Sequence, residues 1–476
     1  MLSQNTHFNA IDPSCQPPDQ RHVHFIGIGG TGMCGLAEVM FNLGWQVSGS
    51  DIRPGEVTFR LQQIGIKVHM GHAAENIENA FFVVYSAAIE ATNPELAAAR
   101  KTGRVVVARG DMLASFMQHK KGVAVAGSHG KTTTTTMIAA LLAAGSMDPT
   151  YIIGGKLRSA AANGKLGIGP HMVAEADESD GTFLRMNPKL AVVTNIDAEH
   201  LSAFQNSISR LFDSFHQFLD QLSVFDTAVI CMDDDRASQL AQRQSHRVVT
   251  YGFSAQADFR VLDAHAEGSR MRFTLGLPSG DTHSLLLSMS GRHNILNMLA
   301  AIAVASTEGV SADLICQGVE SYTGVSRRLE VIAELPLPAG KSVMMSDYGH
   351  HPRELRACLD ALAENWPDYQ HIVVFQPHRY SRTHSLFGEF IGVLSQVEDL
   401  ILLPTYAAGE LPLPGCDSLT LARQIEEISG RKIFCPAGFD ELRRHLKSRL
   451  GGGELVLFQG AGDIGAFACD FVAEEG

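Results

Sequence analysis

The seven residues GSHGKTT, Gly127 to Thr133, have the types and spacing best suited to chemistry in this sequence. Glycines at Gly127 and Gly130 let successive backbone N–H groups curl around phosphate oxygens, and the dipole of a following helix favours the anion. Lys131 can reach the β- and γ-phosphates of a nucleotide, and the Thr132 hydroxyl can ligate Mg²⁺. The match to the general nucleotide-loop pattern has one gap, because Val125 stands where its first glycine would be. Carboxylates for the same metal follow in HMVAEADESD, where Glu175 ends an apolar run with Asp177, Glu178 and Asp180 behind it. Ionised carboxylates suit Mg²⁺, a hard ion that prefers oxygen ligands. His200, in TNIDAEH after another apolar run, can face the same site.

Two further glycine strings need weighing. GIGGTG, Gly27 to Gly32, fits G-x-G-x-x-G, and Asp51 ends the next apolar run, about twenty residues on, as in nicotinamide dinucleotide enzymes. Such a loop binds a diphosphate, whichever nucleotide carries it. QGAGDIG contains a second string, Gly460 to Gly465, after ELVLF. No later strand is there to present a ribose acid, so this string is expected to be a tight strand–helix turn.

These loops need strands ahead of them and helices behind. HVHFIGI, WQVSGSD, FFVVYSA and RVVVA read as strands of a first unit, with TGMCGLAEVMFNLG as a helix. GVAVA, MVAEADESD, KLAVVTNID and FDTAVICMDDD form a second series, and KSVMMSDYG, HIVVFQP, EDLILLP, RKIFCPA and ELVLFQG a third. Continuous apolar runs bounded by Gly, Asp or Ser suit parallel strands covered on both faces. The reading is an α/β chain of three units: Rossmann-like at the N-terminus, a central mixed sheet with a phosphate loop, and Rossmann-like at the C-terminus. Residues 1–20 are expected to be a flexible tail, and the units to span 21–120, 121–327 and 328–476. The stretch Asp258–Met289 is expected to be an antiparallel elaboration of the middle unit.

Composition narrows the function classes. The 476 residues carry a net charge of −13 and no lysine- or arginine-rich run, which excludes a nucleic-acid binder working through a basic face. The eight scattered cysteines include no C-x-x-C pair, which fits a reducing compartment better than a zinc site or a disulfide framework. No apolar run approaches the roughly 20 residues of a membrane span, and the polar N-terminus lacks a signal peptide's apolar core. A cytoplasmic protein without membrane insertion is expected.

The ordered set GSHGKTTTT, EADESD, TNIDAEH, GRHN, SRR, DYGHHP, FQPHR and QGAGDIG resembles the Mur ligase family from about His22 to the C-terminus. The resemblance implies an ATP-dependent amide ligase of bacterial peptidoglycan synthesis. It would join L-alanine to the lactyl carboxylate of UDP-N-acetylmuramate through an acyl phosphate, with Mg²⁺ or Mn²⁺. It implies an ATP cradle of Gly127, Ser128, His129, Gly130, Lys131, Thr132 and Thr133, with His293 and Asn294 bordering the adenine. Arg328 would approach the phosphates, and Asp347 would contact the ribose. The metal ligands would be Thr132, Glu175 and His200. The UDP-sugar would lie on Gly27, Gly29, Gly30, Thr31, Gly32 and Asp51, with His72, Ser86 and Arg109. L-Alanine would lie on Tyr348, His378, Arg379 and Arg382; an arginine fork suits a carboxylate. His378 and Asp347 are both open as the base for the alanine ammonium. Ser128, Ser202, Ser346 and Cys34 depart from the family's usual residues without touching Lys131, Glu175 or Asp347.

Two alternatives stand beside this reading. A muropeptide-recycling ligase adding a tripeptide to the same sugar nucleotide shares the phosphate loop, but EADESD and GIGGTGMCG fit the alanine ligase better. A NAD-dependent oxidoreductase explains GIGGTG and Asp51 and leaves GSHGKT and EADESD without purpose. Calorimetric titration should therefore show UDP-N-acetylmuramate binding, weakened by Gly29→Val because a side chain blocks close approach of the diphosphate, and no NAD(H) binding. NAD(H) binding without UDP-sugar binding would overturn the reading at its first unit.

Overall fold

The computed structural model describes residues 17, 20–157, 162–179, 181–198 and 201–475, and three sheets organise them. The first contains β1 (His22–Ile26), β2 (Gln46–Asp51), β3 (Lys67–Met70), β4 (Phe82–Tyr85) and β5 (Val105–Ala108) in the order β3-β2-β1-β4-β5. Every pairing in it is parallel. Helices Thr31–Asn42, Glu56–Gln63, Pro94–Lys101 and Arg109–Met117 make the connections. The order reverses between β1 and β4, so a crevice opens beyond the carboxyl ends of those strands.

The central sheet has ten strands, β15-β14-β13-β12-β11-β10-β6-β9-β7-β8. They are β6 (Lys121–Ala126), β7 (Thr150–Leu157), β8 (Ala162–Lys165), β9 (His171–Glu175), β10 (Leu190–Val193), β11 (Thr227–Cys231), β12 (Arg247–Gly252), β13 (Phe259–Glu267), β14 (Arg270–Gly276) and β15 (Thr282–Leu287). Val123 through Ala126 of β6 are wholly buried, as expected of a parallel strand covered on both faces. Asp258–Met289 is the strand-rich stretch read from sequence; the two residues between β13 and β14 can join only antiparallel neighbours.

The third sheet is β16-β17-β20-β18-β19, from β16 (Glu330–Leu337), β17 (Gly340–Asp347), β18 (Gln370–Phe375), β19 (Asp399–Leu402) and β20 (Glu454–Gln459). Alternation splits its core: Val343, Met345, Val373, Phe375, Leu455 and Leu457 pack on one face, and Met344, Val374, Val456 and Phe458 on the other. RKIFCPA, expected as a strand, is not one. Phe434 makes a single bridge to Ile401, because Pro436 ends any ladder before it can extend.

By contacts the chain divides into two compact units, 1–263 with 273–285 and 295–322, and 264–272 with 286–294 and 323–476. Within the first unit, helix Thr31–Asn42 lies against β8. A Cβ on Gly164 would sit 2.3 Å from Gly35 O, and one on Gly35 2.8 Å from Asn163 O. Glu38, on the same helix, accepts from Gly164 N–H at 3.1 Å and pairs with Arg60 at 2.5 Å, and Arg60 also donates to Asn163. Burial raises the Glu38 carboxyl, with Arg60 opposing. No helix among the described residues is long and apolar enough to cross a membrane, and the described cysteines are free thiols.

The backbone approach gives a stability prediction. Gly164→Ala should lower the urea midpoint of the first unit by the equivalent of about 2 kcal/mol, a usual cost of overpacking. An unchanged midpoint would mean that helix and hairpin separate without penalty.

Candidate active site

The nucleotide loop begins where β6 ends. Gly127 and Gly130 have φ of +134° and +82°, and helix Lys131–Ala144 starts immediately afterwards. Glycine is needed twice over: a Cβ on Gly127 would lie 2.0 Å from Thr194 Oγ1, and one on Gly130 2.5 Å from Asn297 Oδ1. The TNID segment grips the loop from outside. Ser128 N–H donates to Asn195 O and His129 N–H to Asn195 Oδ1 at 2.8 Å, while Thr194 and Asn195 donate to His129 O. Asp197 N–H donates to Ser128 Oγ, and the Asp197 carboxylate lies 3.2 Å from His129 Nε2. Thr194, Asn195, Asp197 and Asn297 were not picked out as site residues in the sequence. The TNID string was the available signal; nothing marked Asn297.

Lys131 turns back over the loop. Its ammonium donates to Gly127 O at 2.6 Å and Ser128 O at 3.3 Å, and lies 2.9 and 3.1 Å from the oxygens of Glu178. Glu178 is fully buried. Burial pushes its carboxyl up to about 7, while Lys131 pulls it down. Asp177 is also penalised by burial, yet Lys131, Ser179 and Arg109 together hold it below the usual carboxylate range. Parallel pairing puts Glu175 beside Val125, just ahead of the loop, and Glu175 Oε1 accepts from Gly154 N–H at 2.6 Å. Thr132 and Thr133 occupy the first helical turn. A hydroxyl and a carboxylate at the mouth of a phosphate loop are hard oxygen donors that fit Mg²⁺ or Mn²⁺. His200 lies outside the described residues.

The crevice of the first sheet gathers most of the other glycine-loop residues. Gly27, with φ of +79°, and Ile28 donate to Ser50 O. Gly29 N–H donates to Asp51 Oδ2 at 2.9 Å, so this carboxylate, at the place of a ribose-binding acid, braces the loop itself. A Cβ on Gly27 would touch Ser86 Cβ at 3.4 Å, and one on Gly32 would lie 2.9 Å from Arg109 Nη1; Gly30 and Thr31 open the helix between them. His72 Nδ1 lies 2.9 Å from Ser50 Oγ and 3.3 Å from Glu95. Burial alone would raise the Glu95 carboxyl, but hydrogen bonds from His24, Ser50 and Asn76 outweigh it and hold the group down at about 2.

In the second unit, Asp347 ends β17 with both oxygens used locally. Oδ2 accepts from Leu329 N–H at 2.9 Å; Oδ1 accepts from Gly349 N–H at 2.6 Å and Gln459 Nε2 at 3.1 Å. In this arrangement it holds the chain around Arg328 rather than presenting a free carboxylate to a ribose. Arg327 and Arg328 lie over the Tyr348 ring at 5.0 and 5.4 Å. From there an aromatic row runs Tyr348–His350–His378–Tyr406, the last pair stacked at 5.5 Å. Burial, then Arg382 and Arg379, pull His378 down to about 4, and burial pulls His350 down to about 3. Arg382 Nη1 lies 3.2 Å from His378 Nδ1. A guanidinium only donates, so Nδ1 is the acceptor and the proton of neutral His378 sits on Nε2. The Nδ1 lone pair of His378 is thus engaged by Arg382. Arg379 caps helix Tyr380–Ser385 with φ of +69° and donates its N–H to Tyr406 O.

Two further sequence readings are refined here. The Asn294 amide donates to Ser290 O at 2.8 Å, shaping the turn at Gly291 beside His293, and burial lowers His293. The QGAGDIG string is the strand–helix turn that was expected, and its occupant is protein: Arg327 donates to Gly460 O and Gly462 O, and a Cβ on Gly465 would strike its guanidinium.

Comparison with known proteins agrees with these features. Residues 22–140 match the Mur ligase family catalytic domain, 125–305 the Mur ligase middle domain, and 327–462 the Mur ligase glutamate ligase domain. The UDP-N-acetylmuramate–L-alanine ligase of Xanthomonas campestris pv. campestris (strain B100) is 47% identical over 453 residues, 95% of each chain. The crystal structure of a UDP-N-acetylmuramate–alanine ligase from Thermotoga maritima superposes with a TM-score of 0.81 at 27% identity, covering 95% of this chain and 98% of that one. A murein peptide ligase from Psychrobacter arcticus shares the fold, with a TM-score of 0.69 at 23% identity over 95% of this chain and 98% of its own. With all three domains matched and a relative so similar along its length, the chain belongs to the Mur ligase family.

Proposed function

We propose that this chain joins L-alanine to the lactyl carboxylate of UDP-N-acetylmuramate at the expense of ATP, in peptidoglycan precursor synthesis. The observation that carries the reading is a meeting of charges. Lys131 of the nucleotide loop and, more weakly, Arg109 of the glycine-loop crevice help hold the half-buried Asp177 low, and Gly110, next to Arg109, packs so closely on Thr182 that a Cβ would lie 2.2 Å from its Oγ1. That nearness supports transfer of a γ-phosphoryl group to a sugar nucleotide's carboxylate. The muropeptide-recycling reading shares that geometry but rests on likeness of fold alone. An oxidoreductase would leave Lys131 and Glu178 without purpose.

In this reading a lactyl carboxylate oxygen attacks the γ-phosphorus and the bond to ADP breaks. The alanine nitrogen then attacks the acyl carbon, and phosphate leaves as the amide forms. The γ-phosphoryl group gathers negative charge, so its site must supply fixed positive charge and aimed donors. Lys131 moves from Glu178 to the phosphates, and the amides of Gly130 and Lys131, at the start of the helix, line the cradle. Thr132 and Glu175 would hold a divalent ion, which supplies charge neutralisation at the phosphates when bound. Arg109, Ser86 and His72 line the UDP-sugar crevice. Arg382 and Arg379 receive the alanine carboxylate beside Tyr348, the ring on which Arg328 also packs.

Lys131→Ala should lower kcat by ~10²–10³ while leaving the circular dichroism spectrum that of a folded chain. Turnover within a fewfold of wild type would remove GSHGKTT from the catalytic centre. Arg382→Ala should raise the KM for L-alanine by about ten- to a hundredfold, the usual cost of losing one member of a charge-assisted pair, with the KM for ATP little changed. Equal movement of both constants would place the amino-acid site elsewhere.

A further inference from the structure

Glu95 has no role in the reading so far. It lies in the first turn of helix Pro94–Lys101, which is capped by Asn93, and its side chain is wholly buried. Burying a carboxylate beneath a crevice meant for an anion is costly unless donors surround it. They do, from the end of β2 and from the segment after β3, with His24 of β1 close by. Ser50 Oγ, on β2, donates to Oε2 at 2.5 Å, and His24, on β1, lies 3.6 Å away. From the segment after β3, His72 Nδ1 lies 3.3 Å from Oε2, while Oε1 accepts from Ala73 N–H at 3.3 Å and Asn76 Nδ2 at 2.6 Å.

Two consequences bear on the ligand. Ser50 is also the residue whose carbonyl accepts from Gly27 and Ile28, so anchoring its side chain fixes where the glycine loop begins. Because the Ser50 hydroxyl hydrogen points to Glu95, its oxygen accepts from His72 Nδ1–H. That choice leaves Nε2 as the His72 nitrogen available to a ligand, in one tautomer.

We propose that Glu95 is a positioning residue for the sugar nucleotide, setting through Ser50 and His72 both the glycine-loop backbone and the imidazole face that meet UDP-N-acetylmuramate. The inference rests on assigning that crevice to the UDP-sugar. Glu95→Gln keeps the shape but replaces one acceptor oxygen with an NH₂ group that cannot accept from Ser50, His72 or Asn76.

The test is calorimetric titration of the full chain with UDP-N-acetylmuramate and, separately, with ATP. Glu95→Gln and His72→Ala should each weaken UDP-sugar binding about tenfold. The double variant should weaken binding by clearly less than the product of the two single effects, because part of the Glu95 effect runs through His72, and ATP affinity should stay within about twofold of wild type. Full additivity, an unchanged UDP-sugar affinity in Glu95→Gln, or an equal loss of ATP affinity would overturn the proposal. If Glu95→Gln does not fold, Asn76→Ala removes a single donor at the half-buried rim and should still weaken UDP-sugar binding with ATP unmoved; no weakening would sink the idea. A wild-type chain that fails to bind the UDP-sugar would overturn the crevice assignment itself, which separates the two failures.

Discussion

The site depends most on a close approach of backbones. The Gly127–Gly130 loop presses against Thr194, Asn195 and Asn297 so tightly that no side chain fits at either glycine. That pressure fixes the course of the loop, because Asn195 accepts from the Ser128 and His129 amides and Thr194 donates to the His129 carbonyl, which leaves the amides that follow to face a ligand. A phosphate cradle works only if its donors are fixed before the ligand arrives. Here the neighbouring, parallel-paired strands β6 and β10 lead into the two sides of the clamp.

Charge is arranged on the same principle. Lys131 rests on a carboxylate that burial disfavours, and in the proposed function an anionic nucleotide takes that carboxylate's place. Glu178 is thus a resting partner rather than a solvated acid at a helix start. Asp177 is held low by Lys131 first and by Arg109 more weakly. Asp51 and Asp347 show a different use of acid groups: each spends its oxygens on nearby backbone amides and holds a loop in place.

The two glycine strings that resemble each other in sequence separate completely in space. Gly27–Gly32 faces a crevice with Ser86 and Arg109 on its rim. Gly460–Gly465 is packed around Arg327, whose guanidinium fills the space a ligand would need and takes the turn's carbonyls. Both strings meet the same local need, a sharp strand–helix turn; only their surroundings differ.

The sequence by itself determined the three α/β units, the positions of the loops at strand ends, and the roles open to Lys131, Thr132 and Glu175. These follow from local properties: apolar runs that must be buried, glycines that alone accept positive φ, and residue types with one chemistry each. It misjudged RKIFCPA, where apolar composition resembled a strand but Pro436 cut the ladder short. Tertiary structure decided which atoms face one another across long stretches of chain. Asn297 against Gly130, Glu178 against Lys131, Arg327 inside the C-terminal turn, and Glu95 beneath Ser50 and His72 are all such pairings. The pairings leave no mark in sequence, even where one member was singled out there, because hydrogen bonds and ion pairs depend on distances of a few ångströms that only the folded chain sets.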